Sequence, residues 1–218
     1  MEILITVLTY IHVLFGGIGL ITGFISVSVK KGAINHKRAG KIFSYSMLTS
    51  STVALVISNM PQHNNVFLFL ISLFIIYLVL SGNRALTLHH KIKHKADWKD
   101  QIISGSMFLI SIFMLMLGLL GIHYHFENSI LYIFFGGMGV FFTFKDFQTF
   151  KRFTKKKNAG LMNHISRMVG ALIASIVSFL LVGLHLNTTF VWITPTLLGT
   201  AYILYISKKY SKKKVLTE

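Results

Sequence analysis

Seven runs of apolar residues, at 3–29, 42–59, 66–82, 102–122, 130–146, 165–184 and 190–207, take up most of this 218-residue chain. An α-helix of roughly 20 apolar residues crosses a hydrocarbon core of about 30 Å, with its backbone polar groups paired inside the segment. The runs are too long for strands and lack the alternation of a membrane barrel. The chain is therefore expected to be all-α: a single integral membrane domain over 1–218, a polytopic bundle of seven transmembrane helices. The first run opens at Ile3 with no basic segment before it and no small-residue cleavage site, and reads as a span and not as a removable signal.

Charge sets the expected orientation. The 22 Lys and Arg outnumber the 6 Asp and Glu, for a formal charge of +16, and they fall in alternate loops. Loop one carries Lys30, Lys31, Lys37, Arg38 and Lys41, and loop three Arg84, Lys91, Lys93, Lys95 and Lys99. Loop five and the tail are basic as well, whereas loops two, four and six have neither Lys nor Arg. The positive-inside rule then puts the N-terminus outside and the C-terminus in the cytoplasm, in a bacterial plasma membrane. Basic clusters interleaved with spans suit anionic lipid headgroups at the cytoplasmic face. Nucleic-acid binding, which needs a charged face on a soluble fold, is not expected. With no cysteine, disulfides, thiolate metal sites and cysteine nucleophiles are excluded.

"FGGIGLITGF" from Phe15 is echoed by "FGGMGVFFTF" from Phe135, and each precedes a basic loop, a histidine, an arginine, a glycine and a further span. The echo predicts a 3+1+3 arrangement: parallel repeat halves at about 1–82 and 130–207, with 102–122 as a linker helix. In the first span His12, Gly16, Gly19, Gly23 and Ser26 recur at helical spacing and predict a close-packing stripe. The matching stripe of the fifth span is Tyr132, Gly136, Gly139, Thr143 and Asp146, with Asp146 expected to be the one carboxylate inside the bundle.

The stretches "KKGAINHKRAGKIFSYSML", "YLVLSGNRAL" and "NHISRMVGALIASIVSFL…VWITPTLLGT" resemble an uncharacterised bacterial membrane family, known only as domain of unknown function 2306. The resemblance runs from His12 onward through most of the chain. It implies a multi-pass topology and brings no reaction with it. The segment "LHHKIKHKADWKD" after the third span departs from the family pattern, so no role passes to His89, His90 or His94.

The ten histidines divide evenly between the two sides. Neutral imidazoles are inexpensive iron ligands in a low dielectric. His36 and His164, at corresponding helix entrances, are expected to hold a b-type haem from opposite faces, with Arg38 and Arg167 at its propionates. His12 with His185 or His123 would make an outer pair, giving electron transfer across the membrane, to or from quinone. Set against this, a histidine and an arginine at a helix entrance also serve as interfacial anchors or hold a lipid phosphate. A carrier or binder of a small solute or lipid headgroup is the alternative. Its weakness is the shortage of hinge prolines, Pro61 and Pro195 being the only two.

Overall fold

The computed structural model describes residues 2–87, 96–125, 129–151, 159–186 and 188–212, and within them the only regular structure is helical. Seven long helices follow one another: α1 (Glu2–Ser28), α2 (Ile34–Ile57), α3 (Val66–Ala85), α4 (Trp98–Tyr124), α5 (Ser129–Lys151), α6 (Ala159–Ser178) and α7 (Thr189–Lys212). α6 runs on through a π-helical turn, Phe179–Gly183. Their lengths, from 20 to 27 residues, correspond to about 30–40 Å at 1.5 Å per residue. Among the described residues, six of them are long and apolar enough to cross a membrane.

The exception is α2. Ser44, Ser46, Ser50 and Ser51 are all buried, Ser44 against Asn83 of α3 and Ser50 against His12 of α1, and these hydroxyls lower its hydropathy. It still lies antiparallel along α1 from His12 to Ser26. Gly16 meets Ser50, Gly19 meets Met47, Gly23 meets Phe43, and Gly40 lies against Ser26. The predicted stripe of α1 is thus the face that packs on α2.

A second tight hairpin joins α4 to α5. A Cβ on Gly136 would come 3.0 Å from Leu115 N and 3.0 Å from Ser111 O, so only glycine lets these two backbones approach. α4 supplies matching small residues at intervals of seven: Ser104, Ser111 and Gly118, all buried. Here the structure departs from the expected repeat. The small-residue stripe of α5 faces α4, the supposed linker, whereas correspondence with α1–α2 would turn it toward α6. The halves 1–82 and 130–207 therefore do not pack alike.

Between the hairpins stands α3, paired with α6. α3 is buried along most of its length through Phe67, Leu70, Ile71, Phe74, Tyr77, Leu78 and Val79. Phe67, Phe135, Phe74 and Phe142 interleave as a ladder of rings that ties α3 to α5, with centroids 5.6–6.5 Å apart. Where α3 meets α6, a Cβ on Gly82 would stand 2.9 Å from the Cβ of Arg167 and 2.9 Å from Met168 Sδ. α7 leans on α6 through Gly199 against Ile173. The outer helices α1 and α7 expose Ile3, Tyr10, Val13, Ile21, Phe190, Leu197, Leu198 and Leu204. In water such a surface would aggregate; in acyl chains it is solvated. The chain is a multi-pass membrane helix bundle.

Candidate functional site

The basic end of the bundle gathers polar side chains on both sides of the α3–α6 pair. On one side, Arg167 of α6 is 0% exposed. Its Nη2 donates to Asp146 Oδ1 at 2.6 Å and to the Phe142 carbonyl at 2.7 Å, while Nη1 reaches Ser166 Oγ at 3.3 Å. The guanidinium lies over the Phe142 ring, 4.3 Å from its centroid. Nε has no acceptor among the described residues. Asp146, on α5, is also buried, and its Oδ2 accepts from Tyr77 Oη of α3 at 2.5 Å and from Ser104 Oγ of α4 at 3.0 Å. One carboxylate thus collects donors from three helices besides its own. Counted along the helices, the network lies about 8–12 Å below their ends.

A narrow crevice, with room for about one water, leads to this network between the ends of α3, α4, α5 and α6. Ser81, Arg84, Asp100, Ser104, Asp146 and Asn163 supply its polar lining, and Ile103 and Phe150 part of the rest. At its more exposed end Arg84 Nη2 pairs with Asp97 at 2.7 Å and Nε with Asp100. Both carboxylates are set by the N-terminus of α4. Asp97 Oδ1 accepts from Asp100 N at 3.0 Å, and Asp100 Oδ2 accepts from Asp97 N at 3.0 Å, a capping box that satisfies two free helix amides. Asp100 is only 3% exposed, so Asp146 is not the one interior carboxylate, contrary to expectation.

On the other side of the pair are two imidazoles. His164 Nδ1 donates to the Gly82 carbonyl at 2.9 Å, and His36 Nδ1 to the Ser26 carbonyl at 3.0 Å. Both carbonyls belong to the last turn of a helix, where no amide of the helix itself is left to bond them. A carbonyl only accepts, so each Nδ1 carries a proton, and in the neutral ring Nε2 keeps its lone pair. Neither Nε2 has a protein partner among the described residues. The two rings lie within electrostatic reach of one another, His36 brought there by α2 and His164 by α6.

The other residues expected at a site are not assembled in this way. His12 Nδ1 donates to the Ser50 carbonyl at 3.0 Å, and Ser50 Oγ donates to the His12 carbonyl at 3.0 Å, so His12 faces α2 and not lipid. His185 is exposed just beyond the π-helical turn, with a left-handed backbone, and His123 is exposed near the end of α4. Among the described residues nothing joins either of them to His12. Arg38 is exposed. Arg167, expected at a propionate, is instead committed to Asp146 and the Phe142 carbonyl. His89, His90 and His94 lie outside the described residues. No family model, curated protein or solved structure matches the chain.

Sequence reasoning missed Tyr77, Ser104, Arg84 and Asp100. A signal existed for the last two: Asp97-x-x-Asp100 ahead of an apolar run is a capping pattern, and a capped helix start facing Arg84 implies an ion pair. Tyr77 and Ser104 sit inside apolar runs, where nothing local distinguishes them from packing residues.

Proposed function

We propose that this membrane protein binds and carries a small polar solute or lipid headgroup, with Asp146 and Arg167 as the charged centre of the site. One observation carries the reading: a polar crevice, open at the basic end, reaches a carboxylate whose arginine partner is wholly buried. Ionisable residues are costly within a membrane and mark substrate and ion paths there. A pair serving only as a brace would gain nothing from a crevice leading to it. By the positive-inside rule the crevice faces the cytoplasm of a bacterial cell and the N-terminus lies outside. The exposed Lys37, Arg38 and Lys41 on α2 would then meet anionic headgroups of the inner leaflet. The test is solute exchange in vesicles reconstituted with purified protein. Counterflow of at least one small polar solute, lost in Asp146→Asn, supports the reading. Flux no greater than in empty vesicles, across amino acids, organic acids, polyols and headgroup analogues, refutes it.

A second reading is favoured by the imidazoles. In metal-binding histidines one ring nitrogen is commonly held by a carbonyl so that the other meets the metal, and His36 and His164 have that form. Their donor chemistry suits the iron of a b-type haem, which His36 and His164 would hold with Arg38 at its propionates. Such a group would supply one-electron transfer with a partner such as quinone. The chain's own contribution is to fix both ring tautomers through the Ser26 and Gly82 carbonyls. Arg167 has no part in this reading, and the outer pairing of His12 with His185 or His123 falls away. Protein expressed with haem precursor should have a Soret band that shifts on dithionite reduction and is lost in His164→Ala; a colourless, folded protein rules it out.

A further inference from the structure

We infer that a groove between α5 and α7 seats an acyl chain of an anionic phospholipid, drawn from the leaflet at the basic end of the bundle. The inference is independent of both functional readings and concerns a different face from the Asp146 crevice. The groove runs beside the contact of α7 with α6. Met138 and Phe142 of α5, Ile173 of α6, and Thr196, Thr200 and Ile203 of α7 line it. Its walls are almost wholly apolar, and the Thr196 hydroxyl is taken up by the Trp192 carbonyl at 2.7 Å. Nothing there rewards a polar guest. Room for about three waters admits a stretch of methylene chain and is too narrow for a ring system.

The two ends of the groove differ, and the difference gives the lipid its direction. Near the starts of α5 and α7, Phe134 of the lining meets Trp192 with ring centroids 5.2 Å apart, which brings the two helices together. Toward the basic end, beyond Phe142 and Ile203, α5 carries Lys145 and Lys151 and α7 carries Lys208 and Lys209, all exposed. The nearby carboxylate, Asp146, is turned inward to Arg167 and does not neutralise this rim. Phe134 and Lys145 are eleven residues apart on α5. That is about 16 Å along the axis, or half of a hydrocarbon core of about 30 Å. The groove therefore has the depth of one leaflet, with a tail-sized cleft below and cations at the level of the phosphate. Such a rim favours an anionic headgroup over a zwitterionic one.

The experiment is native mass spectrometry of the full-length protein, stripped of lipid in detergent and titrated with phosphatidylglycerol or with phosphatidylcholine of the same chains. Phosphatidylglycerol should bind about 25-fold more tightly, roughly fivefold for each of two lysines near the phosphate. Lys145→Gln combined with Lys208→Gln should remove that advantage. Thr200→Trp and Ile203→Trp, which each fill the groove from α7, should weaken both lipids. Glycerol phosphate, a headgroup without a tail, should not compete. The thermal midpoint of each lipid-free variant reports separately whether it folds. Equal affinity for the two lipids would overturn the inference. So would tryptophan variants that both bind lipid as the native protein does, or displacement of the lipid by glycerol phosphate.

Discussion

Replacing Arg167 by methionine removes the one cation that pairs with Asp146 among the described residues. Asp146 would keep Tyr77 Oη and Ser104 Oγ, two neutral donors on one oxygen, and its other oxygen would lose its 2.6 Å partner. A carboxylate 5% exposed and left uncompensated costs about 3–5 kcal/mol, or roughly 10²–10⁴ in the folding equilibrium. Adding Asp146→Leu removes the stranded charge. The remaining loss is the acceptor for two hydroxyls, about 1 kcal/mol each. The double variant should then lie within about 2 kcal/mol of the native protein and be more stable than the single one. Denaturant titration in mixed micelles, followed by fluorescence of Trp192 against Phe134, measures all three proteins. Solute binding separates brace from site, because the double variant should fold and bind nothing. Two results would refute the reasoning. One is a cost below about 1 kcal/mol for Arg167→Met, the range of a hydrated surface pair. The other is a double variant that still binds the solute.

Gly136→Val should cost about 1–3 kcal/mol by forcing α4 from α5, whereas Gly137→Ala, with nothing within 4 Å of its new carbon, should leave the thermal midpoint where it is. Asp97→Ala takes away both the α4 cap and the Arg84 partner, and should destabilise by about 1–2 kcal/mol in the same assay. Amine labelling of intact cells with a membrane-impermeant reagent should spare Lys37, Lys41 and Lys145; modification of any of them by mass spectrometry would reverse the orientation. His36→Ala and His164→Ala should each abolish a Soret band if haem is held between them, and a band surviving both changes would assign it to other ligands.

Hydropathy made the helices legible, because the length of an apolar run follows from the thickness it must cross. Only α2, read as a span, falls short of the apolarity of the other six, because several of its buried positions are serines. The glycine spacing of α1 identified a packing face correctly, but such a stripe says that some backbone comes close without saying which. For α5 the answer lay in Ser104, Ser111 and Gly118 of α4, spaced by seven and overlooked because the fourth run was read as a linker. Arg167 was read as a headgroup or propionate partner for its nearness to a basic loop. Eight residues into α6, about 12 Å from its start, it is too deep for its charge to reach the surface. That depth, with an aspartate expected inside the neighbouring helix, was enough to suggest the pair. His36 and His164, expected to meet because of their similar helix entrances, lie within electrostatic reach of one another, on packing that is not the expected repeat.

Gly82 belongs to both polar clusters. Its carbonyl orients His164, and its missing side chain allows the backbone of Arg167 to approach. A sliding of α3 along α6 would therefore swivel an imidazole on one flank and unseat a guanidinium on the other in a single movement. A ligand that shifted α3 against α6 on one flank would thereby be felt at the other.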